Sequence, residues 1–198
     1  MKRIFLLAVI CLIGIQSSKA QRLMHAVGGG FFGRPSNALY DAGGLSWTYS
    51  PRYSFAEKKR TSLSIGIPLT AGIANVFDDL SEGKNRPNTR GYMITVPLMF
   101  NFNIGAGSAR SCKEKYGYFV GAGYAYQVGS VYEAWPDRPG YDFSEPHTRS
   151  TTGPAFNIGG RIALGRERKH IMEVRALFMA GITSYKFGLN EFAWLIYF

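Results

Sequence analysis

One run constrains this chain more than any other. From Tyr92 to Ile104 every second residue is large and apolar: Tyr92, Ile94, Val96, Leu98, Phe100, Phe102 and Ile104. Between them stand Met93, Thr95, Pro97, Met99, Asn101 and Asn103. Alternation of period two is a β-strand signature, yet strands in ordinary domains run about 5–6 residues. At ~3.3 Å per residue such a strand reaches roughly 40 Å, and a tilt near 40° brings this to roughly 30 Å along the barrel axis. That is enough to cross the apolar band of a membrane barrel, about 25 Å tall. Pro97 resists the reading, because proline loses a ladder donor and is confined to edges, strand starts and bulges. Pro68 stands in a similar "IPL" segment, and the pair predicts a bulge or bend shared by neighbouring strands.

Seven further segments read as strands: 22–33, 44–55, 60–72, 115–128, 151–164, 168–182 and 187–198. With 90–104 they make eight, an even number. Connections alternate between compact ones ("AEKK", "IGAGSARSCKE", "GRE") and two long ones, 73–89 and 129–150. Short turns at one end and long loops at the other mark an up-and-down outer-membrane barrel. Both termini then fall at the short-turn, periplasmic end. Aromatic residues gather at strand ends: Tyr92, Tyr116, Tyr118, Tyr124 and Tyr126. A soluble sandwich or lipocalin-like barrel also alternates; strand length and terminal aromatics decide for the membrane form. The fold expected is all-β, an eight-stranded antiparallel up-and-down transmembrane β-barrel.

The start of the chain is set apart. Lys2 and Arg3 precede an apolar run from Ile4 to Ile15, and Ser18 and Ala20 offer a small-x-small cleavage site. That run is too short for a spanning helix, which needs about 20 residues. The reading is a cleaved signal peptide over 1–20 and one barrel domain over 21–198, in the bacterial outer membrane. Removing Lys2, Arg3 and Lys19 lowers the formal charge from +10 to +7. An exported chain rarely meets nucleic acid, so none is expected as a partner. The mature chain keeps only Cys112, so no internal disulfide can hold it.

"YMITVPLMFNFNIG" followed by "YGYFVGAGYAYQVG" resembles the central motif of the small bacterial outer-membrane barrels called PorT-like, through Tyr92, Val96, Pro97, Leu98, Tyr116, Gly121 and Gly123. The architecture is similar to the OmpX and OmpA barrels. The resemblance implies a fold and little about activity, since a shared fold does not carry function. The terminal "EFAWLIYF", ending in Phe198, resembles the signal read by the barrel assembly machinery, which is thereby an expected partner together with outer-membrane lipids and lipopolysaccharide.

Chemical motifs are sparse. "GGGFFG" (Gly28, Gly30, Gly33) spells a dinucleotide fingerprint, but no helix follows, so glycines that let a strand bend or pack closely explain it better. His25, His147 and His170 are far apart, and no cofactor or metal is expected. Ser144, His147 and Ser150, beside Asp142 and Glu145, allow a lipid-modifying enzyme as an alternative. Alternation turns Asn101, Asn103, Arg161, Glu173 and Arg175 into the lumen, where a paired structural network is expected. Counting back from a tight turn at 165–167 sets Arg161 level with Met172, beside Glu173. Eight strands leave an interior that side chains can fill, so a plugged lumen is favoured over a narrow channel or accessory subunit of an envelope complex. Basic residues gather at the short turns: Lys58, Lys59 and Arg60; Arg110, Lys113 and Lys115; Arg166, Arg168 and Lys169. They suit either anionic headgroups or plain solvated turns. Tyr132, Trp135, Tyr141 and Phe143 in the second long loop form a candidate contact surface. The expected role is non-enzymatic, in envelope structure or surface interaction.

Overall fold

A computed structural model describes residues 22–34, 42–76, 90–109, 111–131, 147–165, 170–183 and 187–198. The segment read as a signal peptide lies outside these residues, as do Tyr132, Trp135, Tyr141 and Phe143, Asp142, Ser144 and Glu145, and the basic residues Arg110, Arg166, Arg168 and Lys169. The strands are β1 (Arg22–Met24), β2 (Ala26–Arg34), β3 (Ala42–Tyr49), β4 (Arg52–Phe55), β5 (Thr61–Gly66), β6 (Leu69–Val76), β7 (Arg90–Gly105), β8 (Tyr116–Val131), β9 (His147–Leu164), β10 (His170–Met179) and β11 (Leu189–Tyr197). Three pairs, β1–β2, β3–β4 and β5–β6, each act as one barrel strand with a short break, which leaves eight. Each barrel strand pairs antiparallel with its neighbour in sequence, and β11 pairs with β2 to close the ring. The strands outrun their expected ends on the long-loop side: β6 continues to Val76, β8 to Val131, and β9 begins at His147. The long connections are therefore 77–89 and 132–146.

The barrel has the polarity of a membrane protein, apolar outside and polar within. All seven large residues of β7 from Tyr92 to Ile104 face outward, with exposures from 37% at Val96 to 56% at Phe100. Met93, Thr95, Met99 and Asn103 are wholly buried, and Asn101 nearly so. The same division holds on the other strands. Leu63, Ile73, Val120, Ile158, Phe178, Trp194 and Ile196 are exposed, whereas Ser62, Ser64, Thr70, Asn157 and Glu173 are buried. No soluble domain leaves so continuous an apolar surface in water, because patches beyond a few hundred Å² mark contact with a membrane or a partner. Tyrosines close the belt at both rims. Tyr116 and Tyr118 stand at the short-turn end; toward the other, the Tyr92 hydroxyl pairs with Thr148 Oγ1 at 3.0 Å and the Tyr124 hydroxyl with Thr152 Oγ1 at 3.2 Å. An amphipathic ring with a satisfied hydroxyl suits an interface.

The prolines do not mark a bulge. Gly66 pairs with Met99 and Thr70 with Thr95, so three residues intervene on each strand and none is inserted. This register sets Pro68 directly opposite Pro97. Ile67 donates its N–H to Pro51 on the other flank, at 3.2 Å, so residue 68 turns its backbone polar groups toward β7. The two missing N–H groups therefore face each other across a single rung, and the opposite edge of β7 keeps an unbroken ladder to β8 from Met93 to Gly105. The break continues through Pro51 to His25, across three adjacent barrel strands. Sequence reasoning paired the two prolines but expected a bulge or bend; set in register, they confine the loss to one rung.

The triple glycine lies within β2 at the closing seam. A Cβ on Gly28 would sit 1.7 Å from the Trp194 carbonyl oxygen, and one on Gly30 2.1 Å from that of Phe192. Close approach of backbones, not phosphate binding, requires these glycines.

Candidate functional site

The lumen collects the chain's buried charge. Among the described residues Arg34, Arg52, Arg161, Arg175, Glu173 and Glu191 are all buried within the barrel. Strand alternation sets each inward, and isolated charges could not be held there; each needs an opposite charge or hydrogen bonds.

The lower network lies toward the short turns. Arg161 on β9 donates from Nε to Glu173 Oε2 at 2.7 Å and from Nη1 to Asn103 Oδ1 at 2.9 Å. Asn103 in turn donates from Nδ2 to Ser64 Oγ at 3.0 Å and to the Ser62 carbonyl at 3.3 Å. Arg161, Glu173 and Asn103 are thus joined by hydrogen bonds, and the register expected from sequence needs one correction. Arg161 pairs directly with Glu173, while Met172 pairs with Ile162. The turn is longer than 165–167, since the ladder ends at Leu164 and His170, and this moves the register by one residue.

Arg52 on β4 completes the network, and sequence reasoning missed it. Its Nη1 is 3.8 Å from Glu173 Oε2, and its Nη2 donates to the Gly107 carbonyl at 3.3 Å. Both guanidinium groups rest on aromatic rings: Arg52 lies 4.6 Å from the Tyr197 ring centre and Arg161 4.2 Å from that of Phe119. A planar, weakly hydrated cation is suited to such burial. Ala106, Ser108 and Ala109 are buried too, so the β7–β8 turn folds back into the barrel mouth and offers Gly107 to Arg52. Gly105 and Gly107, both at φ +74°, permit that reversal.

Arg175 does not join this network through a hydrogen bond. It donates from Nη2 to Glu191 Oε1 on β11 at 3.3 Å. Thr48 and Thr70 donate to the same carboxylate at 3.1 and 3.2 Å, and their hydroxyls lie 3.0 Å apart. Glu191 was readable: in "LNEFAWLIYF" it alternates with Leu189, Ala193, Leu195 and Tyr197 on the buried face. Asn101 Oδ1 finds no hydrogen-bond partner among the described residues. It shares with Asn157 Oδ1 the space that a side chain at Gly121 would fill, 2.0 and 2.4 Å from a Cβ there.

Above these networks the lumen turns apolar. Phe32, Met93, Met99, Leu177, Met179 and Leu189 form one cluster. Near the upper rim Arg34 donates to the Ser130 carbonyl and lies over the Phe187 ring. Side chains from opposite walls thus meet at several levels, as expected for eight strands.

The other candidates are scattered. His25 Nδ1 and the Tyr49 hydroxyl are 2.7 Å apart at the outer wall. His147 and Ser150 lie at the start of β9, both exposed, and were expected in a loop. No group of three potential metal ligands occurs among the described residues. Of the basic turn residues, Lys58, Lys59, Lys113 and Lys115 are exposed, and Arg60 pairs with Glu114 at 2.9 Å on an exposed surface, where such a pair adds little.

No protein-family model matches the chain, and no curated protein is similar to it in sequence. Solved structures are similar in fold. Neisserial surface protein A superposes with a TM-score of 0.60 at 11% identity, over 90% of this chain and 98% of that one. Ail, the attachment invasion locus protein of Yersinia pestis, in complex with the heparin analogue sucrose octasulfate, gives 0.53 at 10% identity, over 91% and 100%. At such identities the likeness speaks for architecture alone, and it agrees with the strand order, the closed seam and the inverted polarity: the chain has the eight-stranded antiparallel fold of small outer-membrane β-barrels.

Proposed function

We propose that the protein is an integral outer-membrane barrel of the PorT-like kind, with a lumen closed to solutes, acting in envelope structure or surface contact through its long connections and not by catalysis. The observation that carries this reading is the pairing of a continuous apolar outer wall with an interior filled by ion pairs and methionines. The wall requires a bilayer, and the filled interior leaves residues 77–89 and 132–146 as the segments best placed to meet a partner. Ail, a similar barrel, is by name an attachment invasion locus protein; contact at a surface is the role carried over here as a proposal.

Two measurements test it together. Folded barrel in native membranes should migrate differently on a gel before and after boiling. Trypsin added to intact cells should cut at Lys84 in the first long connection, and at Lys58–Arg60 only after the cells are opened. Cleavage at Lys58–Arg60 in intact cells would reverse the orientation and remove the proposed contact segments from the surface. Steady conductance in planar bilayers would refute the closed lumen.

A further inference from the structure

Among the described residues the outer wall is dented on β8. Every outward residue of β8 is branched or aromatic (Tyr116, Tyr118, Val120, Tyr124, Tyr126, Val128) except Ala122. Ala122 pairs with Phe100 on one side and Phe156 on the other. One rung below, Phe55, Leu63, Phe102 and Val120 run side by side across β4, β5, β7 and β8. Together they enclose a groove of about 360 Å³, floored by Ala122 and almost wholly apolar.

The position of this groove gives it a second property. It opens on the half of the wall nearer the short turns, directly above the β4–β5 and β7–β8 turns. Those turns expose Lys58, Lys59, Arg60, Lys113 and Lys115. Against them stand Glu57 and Glu114, the latter paired to Arg60. The described residues of the two turns thus hold an excess of cations. From Leu63 to Arg60 is three residues and from Val120 to Lys115 five, or roughly 10–16 Å along the strands at ~3.3 Å each. An acyl chain in the groove would place its phosphate at the lysines.

We propose that this face is a binding site for a single anionic phospholipid of the leaflet on the short-turn side. The aromatic groove takes an acyl chain, and Lys58, Lys59, Lys113 and Lys115 take the phosphate. Apolar burial fixes the chain, and the lysines set the preference for negative charge, since basic residues near a membrane surface attract anionic lipids. The inference rests on the membrane reading above, and its test is separable from that reading.

The full mature chain, folded in micelles that contain equal phosphatidylglycerol and phosphatidylethanolamine, is released in a native mass spectrometer. The expected result is one retained phosphatidylglycerol per protein, favoured about tenfold over phosphatidylethanolamine. Ala122→Phe fills the groove and should abolish retention of both lipids. Replacing the four lysines by glutamine should leave retention but remove the preference. Equal retention of the two lipids by the wild type would overturn the site, as would retention by Ala122→Phe at the wild-type level, or a protein dimer in place of the lipid. Heat-shift gels on each variant separate the two readings, because a failed barrel loses the shift and a failed lipid site keeps it. Should Ala122→Phe not fold, the four-lysine variant, confined to exposed turns, still decides: unchanged preference refutes the proposal.

Discussion

Glu173→Gln is the substitution that best distinguishes a filled lumen from a wet one. Glutamine keeps the shape of glutamate, so no cavity forms and the change is one of charge. The Glu173 carboxylate serves Arg161 at 2.7 Å and Arg52 at 3.8 Å, and all three side chains are at most 3% exposed. Removing one member of such a buried set leaves uncompensated charge, which costs about 3–5 kcal/mol. Were the lumen hydrated, the same pairs would behave like surface pairs, and the loss would be about 0–1 kcal/mol. The assay is urea unfolding of barrel folded in lipid vesicles, followed by the fluorescence of outward-facing Trp47 and Trp194. Glu173→Gln combined with Arg161→Met should cost less than the sum of the single changes by about 0.5–3 kcal/mol, since they share one ion pair. A loss below about 1 kcal/mol for Glu173→Gln would refute both the burial argument and the closed lumen that rests on it.

Three further outcomes follow from the same structure. Gly121→Val places a branched side chain where Asn101 and Asn157 now meet, and its Cβ would also lie 2.7 Å from the Phe100 carbonyl oxygen; a loss of about 1–3 kcal/mol is expected in the same unfolding assay. Glu191→Gln leaves buried Arg175 without its carboxylate and should weaken the barrel by about 3–5 kcal/mol, and Thr70→Val, which removes only one hydroxyl, by about 1.5–3 kcal/mol. Leu98→Arg sets a charge on the lipid face and should cost about 2–4 kcal/mol in vesicles if that position lies near the bilayer midplane; insertion without loss would show that this face does not meet lipid.

How much of this was legible depends on the range of the cause. Inside and outside were readable on β7, β9 and β10, because alternation is local and the wall forces one face apolar. The meeting of Arg161 with Glu173 was also readable, as the two lie on adjacent strands joined by a short turn. The register was misjudged by one residue because turn length, not strand pattern, sets it. Arg52 escaped notice for a different reason. It follows Pro51 in a four-residue strand where alternation has no room to show, and its carboxylate partner is Glu173, on a distant strand. Arg175 was grouped with Arg161 and Glu173, yet its hydrogen-bond acceptor is Glu191 on the adjacent strand β11, which the alternation of that strand could have supplied. Contacts across the lumen depend on closure, and closure leaves no mark within any one segment.

The seating of Glu191 has a consequence for the order in which the chain can assemble. Its hydrogen-bond donors Thr48 and Thr70 precede it by 143 and 121 residues, and they stand on the opposite side of the β2–β11 seam from Arg175. An open sheet can give this carboxylate Arg175 but not its two threonine donors, however many of its rungs have formed. In such a sheet the adjacent-strand pairs Arg161–Glu173 and Arg175–Glu191 can form, but Thr48 and Thr70 stay away from Glu191 and Arg52 from Glu173, and loop closure over so long a stretch is slow. The final strand thus brings its own reward for docking: the first and last thirds of the barrel gain their shared electrostatic contacts only in the step that joins them, which makes closure cooperative and half-closed forms short-lived.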